Sequence, residues 1–395
     1  MIQIKDKTQC CGCEACVQRC PRQCISLVED REGFLYPKVD KKSCIECNIC
    51  EKVCPVITQS DEREPLSVYA AINRDEAIRH TSSSGGIFSV IAESVLREGG
   101  VVFGVCWDKD WRLVFDYTER VEGLSRFRGS KYLQAHVGDA YIKAEEFLKM
   151  GRRVLFSGTP CQIRGLKLFL RREYDNLFCV DIICHGVPSP RVFRRYLNEE
   201  IANVAKTKSI DIDSLHIDDI QFRDKRLGWK RFSFTLSFAE ALADGEQKTI
   251  SLSSPLDENI YMQGFLRDIY LRPSCYACSA KAGKSGADIT LGDFWGIDQL
   301  RPDIDDDKGI SAVLLNTASG EQQFEPLFVE KYQMSYDDVK QYNTAVYRSV
   351  ARPSKRDKFF RSRKSFSVTI DALAKITLKE KYRFIIKNIF RKICE

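Results

Sequence analysis

Two runs of cysteine near the start of the chain share one spacing, and each ends in proline. Both runs read C-x2-C-x2-C-x3-C-P, the first over Cys10–Pro21 and the second over Cys44–Pro55. Thiolates suit soft iron centres, and a tight loop with two intervening residues places three sulfurs around one face of a cubane. The fourth sulfur must come from farther away. The repeated spacing therefore predicts two iron–sulfur clusters of the 4Fe-4S type.

In chains with this pattern the fourth cysteine of each run binds the cluster of the other run, as in the two-cluster ferredoxins of bacteria. The sequence therefore predicts one cluster held by Cys10, Cys13, Cys16 and Cys54, and a second held by Cys44, Cys47, Cys50 and Cys20. A pair of zinc knuckles is the alternative, and two complete copies of the spacing with both prolines argue against it. Cys11 and Cys24 fall outside the pattern and are interpreted as small buried hydrophobic residues rather than as extra ligands.

Composition places these motifs in a globular chain. The 395 residues are 44% hydrophobic and 29% charged, which predicts two or three packed domains rather than disorder. No stretch approaches the roughly 18 apolar residues that span a bilayer, and the segment Met1–Asp6 lacks the apolar core of a signal peptide. We therefore expect a cytoplasmic protein. In that compartment 17 cysteines against 4 histidines indicate metal or redox chemistry rather than disulfides.

The distribution of cysteine divides the chain. Ten of the 17 cysteines lie in the first 54 residues, and the polar stretch Pro55–Pro65 is typical of a linker. We predict a two-cluster ferredoxin domain over 1–60, a linker over 61–66, a main domain over 67–350 and a basic tail over 351–395. Within the first domain, the apolar segments 25–29 and 34–36 flank a turn, which predicts a hairpin covering a cluster.

The net charge of +6 resides in the tail. Residues 352–395 contain 14 Lys or Arg and 4 Asp or Glu, and apolar residues recur at a helical period over 381–394. This pattern predicts an amphipathic helix docked on the body or on a partner subunit. The alternative is a reversible anchor on an anionic membrane, which would place the protein at the inner face of that membrane. The acidic body argues against nucleic acid as a partner.

Strands and helices alternate through the main domain. The pattern predicts strands at 101–105, 153–156 and 177–183 and helices at 87–96, 140–150 and 163–172. Strict alternation over 232–238 predicts an antiparallel insertion. We therefore expect an α+β or α/β fold: a small ferredoxin-like domain, then a larger α/β domain with a mixed, largely parallel sheet and that insertion. Ligands of such domains sit at the carboxyl ends of the parallel strands.

Three segments of the main domain carry candidate chemistry. The small residues of Ser82–Gly86 precede the first predicted helix, where free backbone N–H groups could bind a phosphate, although a plain serine cap is the alternative. Cys161 and Cys184 follow successive strands and should face one crevice, while Cys275 and Cys278 form a C-x2-C pair. These four cysteines would complete a third cubane. Half a zinc ribbon or a redox dithiol is the alternative for the pair.

Four motifs of this domain resemble the beta subunit of coenzyme F420 (deazaflavin) hydrogenases and dehydrogenases, over roughly residues 66–345. They are Gly158–Ile163, Cys184–Ser189, Cys275–Cys278 and Ala287–Gly296. Members of that family bind FAD and a 4Fe-4S cluster and pass electrons between the flavin and a reduced carrier. The resemblance therefore implies that the larger domain is a flavin domain.

The resemblance also assigns residues to these cofactors. It implies that the third cluster is held by Cys161, Cys184, Cys275 and Cys278. It implies flavin contacts at Ser83, Ser84, Gly85, Gly86, Lys131, Tyr132, Asp288 and Asp293, with Gly292 lining the same pocket. Lys131 would face a phosphate or the N1 region of the reduced flavin, and the phosphate-binding interpretation of Ser82–Gly86 becomes the preferred one.

The expected function is an iron–sulfur flavin-dependent oxidoreductase that exchanges electrons with a carrier, a redox partner protein or a partner subunit. The motifs are most similar to a bacterial branch found beside polysaccharide pyruvyl transferases, which implies a polysaccharide biosynthesis context. A ferredoxin-like relay without substrate chemistry and a zinc-stabilised binding protein are the alternatives. No catalytic residue is assigned. His185, beside a proposed ligand, is expected to donate a hydrogen bond towards the cluster or to exchange a proton.

Overall fold

The computed structural model describes residues 1–241 and 247–374. The helix predicted over 381–394 lies outside the described residues. The strands are β1 (Ile25–Glu29), β2 (Leu35–Val39), β3 (Ser67–Asn73), β4 (Val101–Trp107), β5 (Leu113–Thr118), β6 (Val154–Gly158), β7 (Leu177–Ile182), β8 (Leu215–Asp224), β9 (Ser233–Ala241), β10 (Gln247–Pro255), β11 (Ile289–Asp293), β12 (Ser311–Leu315) and β13 (Val329–Met334).

The helices are short apart from α7. They are α1 (Ala15–Gln18), α2 (Ile49–Lys52), α3 (Glu76–Thr81), α4 (Ile87–Arg97), α5 (Ala140–Lys149), α6 (Pro160–Leu170), α7 (Pro190–Lys208), α8 (Ile260–Leu266), α9 (Ile297–Leu300), α10 (Ala318–Phe324), α11 (Tyr336–Tyr342), α12 (Lys355–Arg361) and α13 (Phe366–Ala374). In the part of the chain that is described, none of them is both long and apolar enough to cross a membrane.

The N-terminal residues form two similar cysteine loops and the predicted hairpin. Each loop enters a short helix through a left-handed residue, Glu14 (φ +62°) before α1 and Asn48 (φ +57°) before α2. Strands β1 and β2 pair antiparallel, from Ile25 opposite Val39 to Glu29 opposite Leu35. The repeat seen in the sequence is therefore a repeat of backbone conformation, and the hairpin is confirmed.

The body is built on an eight-stranded sheet with the order β13-β3-β12-β11-β7-β6-β4-β5. Strands β4, β6, β7 and β11 are parallel, while the flanking strands pair antiparallel. The mixed sheet is confirmed, but the largely parallel character holds only for its centre. Central strands are covered on both faces, which is why they contain near-continuous apolar runs; Val101, Leu155, Val180 and Ile289 are all fully buried.

Helix α6 begins three residues earlier than the apolar period predicts. Thr159 caps it, and the Gln162 side chain returns to accept a hydrogen bond from the Thr159 backbone N–H at 2.9 Å. Proline at the first helical position, Pro160, leaves no backbone donor unpaired there. Cys161 consequently lies in the first turn of α6, immediately after β6.

The predicted antiparallel insertion is confirmed as the sheet β10-β9-β8. Its inner face carries Phe222 of β8 and Phe234 of β9, whose ring centroids are 5.2 Å apart. These rings pack on Tyr196 of α7 and Tyr261 of α8. The alternation of apolar and polar residues over 232–238 is expected for a sheet with one face packed and one face in water.

The cysteine loops pack against the body through buried charged groups. The Glu14 carboxylate accepts hydrogen bonds from the backbone N–H groups of Val137 (3.1 Å) and Gly138 (3.0 Å) and lies 2.7 Å from His136 Nδ1. Glu32, in the hairpin turn, forms a buried ion pair with Arg356, with Nη2 and Oε2 separated by 2.6 Å. Removing one partner of a buried pair is strongly destabilising, so these contacts fix the N-terminal module on the body.

Candidate redox site

The first predicted set of cysteines converges. Cys13, Cys16 and Cys54 are buried, and Cys16 has Cys10 and Cys54 as electrostatic neighbours. Burial raises the pKa of Cys16, and these neighbouring thiols raise it further. The protein alone therefore keeps this thiol protonated, whereas a coordinated thiol loses its proton. The donor set fits an iron–sulfur cluster.

The second predicted set lines one small cavity beside the hairpin. Cys20, Cys44, Cys47 and Cys50 all border it, together with Ile25 and Val39 from the two hairpin strands. The hairpin therefore covers this cysteine set, as the sequence suggested. Cys47 is exposed, whereas Cys50 is buried. Cys24 borders the same cavity, with its sulfur 3.4 Å from that of Cys20.

The third set also converges, although its members come from three places in the chain. Cys161, Cys184, Cys275 and Cys278 line one cavity. Burial raises the pKa of Cys184 to about 12 and also raises that of Cys275. The Val187 backbone N–H donates to the Cys275 sulfur at 3.4 Å. The strand ends thus meet as expected, and the C-x2-C pair completes the set.

Each set offers four thiols, which is the donor number and chemistry of a 4Fe-4S cluster. Among the residues that the structure describes, no three His, Cys, Asp or Glu side chains are placed to share a single metal ion. In a cubane each of the four thiolates binds a different iron atom, so the four sulfurs lie farther apart than ligands that share one metal ion.

Helix α6 joins the first and third sets. Cys161 belongs to the third set, and Gly165 lies one turn later on the same face of the helix. A Cβ added at Gly165 would lie 3.0 Å from the Cys13 sulfur, so only glycine allows this approach. Cys11 lies between the two sets, since it contacts both Cys13 and Cys161 and lines the cavity of the third set. Its interpretation as a simple buried hydrophobic residue therefore missed its position between two cluster sites.

Arg272 fastens the first set to the loop of the third. Its side chain is fully buried, and Nε donates to the Cys10 carbonyl at 2.7 Å. Nη2 donates to the Cys10 sulfur at 3.4 Å and to the Leu35 carbonyl at 2.9 Å, while Nη1 donates to Gln134 at 2.8 Å. The guanidinium lies over the Tyr36 ring, 4.4 Å from its centroid. No local spacing marks this arginine in the sequence, because its partners are far away along the chain.

A cavity of about 550 Å³ opens at the carboxyl ends of β6, β7 and β11, next to α4. Its lining includes six of the eight residues predicted to contact flavin, and also Gly292. The six are Ser83, Ser84, Gly86, Lys131, Tyr132 and Asp293. This is the edge of the sheet where ligands of α/β domains bind.

The loop before α4 is shaped by its glycines. Gly86 is the N-cap with φ +81°, and no side chain caps the helix. A Cβ at Gly85 would lie 2.4 Å from the Ala71 carbonyl, so this residue must be glycine although its own atoms do not line the cavity. The hydroxyls of Ser82 and Ser84 donate to backbone carbonyls instead of capping. The plain serine cap is therefore wrong, and the first N–H groups of α4 are available for an anion.

Lys131 and Asp288 behave differently from what the resemblance implies. The Lys131 amine is already bonded to the carbonyls of Phe127, Arg128 and Gly129, at 2.9 Å for the shortest contact, and burial lowers its pKa to about 8. Asp288 does not line the cavity; its carboxylate accepts from the Cys179 N–H at 2.8 Å and from the Thr317 hydroxyl at 2.7 Å. Asp288 therefore ties β11 to its neighbours and is removed from the proposed flavin contacts.

One wall is common to this cavity and the third cysteine set. The segment Cys184–Val187 lines both. Within it, His185 directs Nε2 to the Asp268 carboxylate at 2.6 Å, and its ring packs edge-on against Phe265. The histidine is thus oriented by a carboxylate while lying between the two cavities.

Comparison with protein families identifies three regions. Residues 68–141 match the model described as coenzyme F420 hydrogenase/dehydrogenase, beta subunit N-term, and residues 151–340 match the corresponding C terminus. Residues 9–57 match a 4Fe-4S dicluster domain.

Two curated relatives and one solved structure are similar to parts of the chain. An F420H2 dehydrogenase subunit of Methanosarcina mazei is 24% identical over 240 residues, covering 53% of this chain and 68% of the relative. A ferredoxin of Mycolicibacterium smegmatis is 32% identical over 77 residues, covering 19% of this chain and 61% of the ferredoxin. A chain from the F420-reducing NiFe hydrogenase complex of Methanosarcina barkeri aligns with 17% identity and a TM-score of 0.43, covering 83% of this chain and 96% of that one. On the family matches, the chain belongs to the family of coenzyme F420 hydrogenase/dehydrogenase beta subunits, which are iron–sulfur oxidoreductase components, and carries an N-terminal 4Fe-4S dicluster domain.

Proposed function

We propose that this chain is an iron–sulfur flavoprotein oxidoreductase with three 4Fe-4S clusters and one FAD. The observation that carries the proposal is the wall Cys184–Val187, which lines both the four-cysteine cavity and the cavity at the strand ends. A single segment of chain therefore separates a cluster site from a cofactor site. This is the arrangement that electron exchange between the two requires.

The residues of the large cavity fit a flavin nucleotide. Its volume of about 550 Å³ is within the range of cofactor pockets. The uncapped N-terminus of α4 offers backbone N–H groups to a phosphate, and Gly86 allows close approach. When bound, FAD would supply the change between one-electron transfer and two-electron hydride chemistry.

The chain's own residues hold this cavity in shape. The Ser130 backbone N–H donates to the Ser83 hydroxyl at 2.5 Å, which joins the loop carrying Lys131 to the loop before α4. Tyr132 stacks on Phe265 with ring centroids 4.7 Å apart. The two rings give the cavity an apolar side that excludes water and strengthens the electrostatic interactions within it.

The three cysteine sets suggest an order for the clusters. The second set, which includes the exposed Cys47, is placed to meet an external redox partner. The first set adjoins the third along α6 through Gly165 and Cys11. The proposed order is therefore second, first, third and then the large cavity. The division into 1–60, 61–66, 67–350 and 351–395 belongs to the same proposal.

The similarity to an F420H2 dehydrogenase component supports a reduced deazaflavin as one candidate carrier, and partner subunits as candidates for docking. The test is anaerobic mixing of the purified protein with NADH, NADPH, reduced ferredoxin or reduced deazaflavin, while flavin and cluster absorbances are recorded separately. We expect at least one donor to bleach both chromophores. Reduction of the clusters by dithionite with no flavin signal would instead identify a ferredoxin-like relay.

A further inference from the structure

Among the residues that the structure describes, four cationic side chains line the large cavity, and three of them already have partners. The Lys131 amine donates to three backbone carbonyls. Lys230 and Arg223 are each paired with a carboxylate, and the side chain of Arg223 is only 2% exposed. Arg128 is the fourth cation. Its charge is therefore the one that remains for a ligand of this cavity.

The guanidinium of Arg128 is anchored through one nitrogen and open at the other two. Nε donates to the Ser89 hydroxyl at 3.0 Å, and Ser89 is a buried residue in the first turn of α4. Nη1 and Nη2 donate to no residue of 1–241 or 247–374, and protein atoms do not cover them. The side chain is half-buried and lines the cavity. It therefore offers two N–H groups, side by side, to a ligand.

A closed turn over 127–131 holds Arg128 in this place. The Lys131 amine donates to the carbonyls of three preceding residues, and its shortest contact is 2.9 Å to the Arg128 carbonyl. The Ser130 backbone N–H donates to the Ser83 hydroxyl at 2.5 Å, which joins the turn to the loop before α4. Lys131 thus shapes the turn, and Arg128 presents the positive charge.

The part of the cavity beside Arg128 suits a phosphate. Ile87 and Phe88, the first two residues of α4, also line the cavity, and N–H groups at this position precede the hydrogen bonds of the helix. Asp293 is the only carboxylate among the described lining residues, and it already accepts hydrogen bonds from Arg223 and from the Trp229 indole. An arginine with two open N–H groups beside a helix N-terminus is complementary to a phosphate.

We propose that Arg128, anchored on Ser89, binds a phosphate of the nucleotide that occupies this cavity and makes the site specific for phosphorylated flavin over riboflavin. The inference rests on the proposed function for the identity of the nucleotide. It assigns to Arg128 the phosphate contact that the family resemblance implies for Lys131. The reason is that the open nitrogens belong to Arg128, whereas the amine of Lys131 is bonded within its own turn.

FAD and riboflavin are the probes, because riboflavin has the same ring system and no phosphate. Anaerobic protein is freed of flavin by dialysis against potassium bromide, its iron content is confirmed, and each probe is titrated while flavin fluorescence is recorded. We expect Arg128→Met to weaken FAD binding by at least about tenfold, the effect of one charge-assisted hydrogen bond, and to leave riboflavin binding unchanged. Arg128→Lys keeps the charge and should recover part of the loss.

Arg126→Met is the matched control. Arg126 lies two residues earlier, is 47% exposed, pairs with Asp116 at 2.8 Å and does not line the cavity. Its removal should therefore leave both affinities equal to those of the unmutated protein. Equal weakening of FAD and riboflavin in Arg128→Met would show that this arginine only supports the shape of the cavity, and would overturn the proposal. Unchanged FAD binding in that variant would overturn it as well.

Failure of the proposed function gives a different result. If the unmutated protein binds neither flavin, the assignment of FAD fails, and inorganic pyrophosphate is then titrated into the protein by calorimetry. Pyrophosphate binding that is lost in Arg128→Met and kept in Arg126→Met would still support the phosphate site. Absence of pyrophosphate binding would overturn the phosphate site too.

Discussion

Replacement of Arg272 by methionine should lower the midpoint potential of the first cluster, the one assigned to Cys10, Cys13, Cys16 and Cys54. The arginine is fully buried, and its Nη2 is 3.4 Å from the Cys10 sulfur. A nearby positive charge favours the reduced, more negative state of a cluster, and hydrogen bonds to the sulfurs act in the same direction. Removing both effects makes reduction harder.

The size of the shift follows from Coulomb's law. One charge at about 8 Å from the added electron, at an effective dielectric constant of about 20, contributes about 2 kcal/mol. At 59 mV per factor of ten for one electron, this corresponds to a decrease of about 90 mV. Arg272→Lys keeps the charge and should recover most of the decrease.

The assay is a redox titration followed by electron paramagnetic resonance, on protein with its full iron content. Arg79→Met is the matched control: Arg79 is equally buried, but it bonds Asp306 and the Gly309 carbonyl rather than a cysteine. We expect its cluster potentials to equal those of the unmutated protein. An Arg272→Met variant with full iron content and unchanged potentials would refute the electrostatic role of this arginine.

Three further substitutions test other parts of the structure. Cys278→Ser should lower the iron content by about four atoms per chain. Cys179 is a buried thiol outside the three sets, so Cys179→Ser should leave the iron content unchanged. Equal iron content in the two variants would contradict the third cluster. Glu32→Ala should lower the free energy of unfolding by about 3–5 kcal/mol because it leaves the buried Arg356 without its carboxylate partner. Glu29→Ala breaks exposed ion pairs and should lower it by under about 1 kcal/mol. Urea denaturation that ranks the two variants otherwise would show that the buried pair does not hold the module. Burial raises the pKa of Asp181 to about 6, whereas the unfolded chain releases this proton near pH 4, so stability falls as the pH rises from about 4 to about 6. Asp181→Asn should therefore raise the free energy of unfolding by up to about 3 kcal/mol at about pH 7.5 and by little at about pH 4. An equal gain at both pH values would contradict this assignment.

The sequence predicted the features that depend on residues close together along the chain. Each cysteine run is one loop that enters one short helix, so the spacing of the ligands in the sequence determines the local backbone conformation. The cysteines of both sets converge as predicted. Cys161 and Cys184 were also predictable, because residues at the ends of adjacent parallel strands must share an edge. The mixed sheet and the antiparallel insertion followed from the periods of apolar residues.

Contacts between distant segments were not predictable in this way. Arg272 and Arg223 are single arginines without a motif, and only the tertiary structure places one against Cys10 and the other in the large cavity. Cys11 was interpreted by elimination, since it lies outside the cluster spacing, and its contact with Cys161 depends on how α6 packs. Asp288 lies in a motif that the family resemblance placed at the flavin, but its carboxylate accepts hydrogen bonds from Cys179 and Thr317 instead.

The central claim is that one chain carries three clusters beside a flavin cavity, and chemical analysis tests it most directly. Anaerobically purified protein should contain roughly twelve iron and twelve acid-labile sulfide per chain, as expected for three cubanes, together with one FAD released on denaturation. Roughly eight iron without flavin would contradict the claim and leave only the N-terminal pair of clusters, and stoichiometric zinc in place of iron would contradict it entirely.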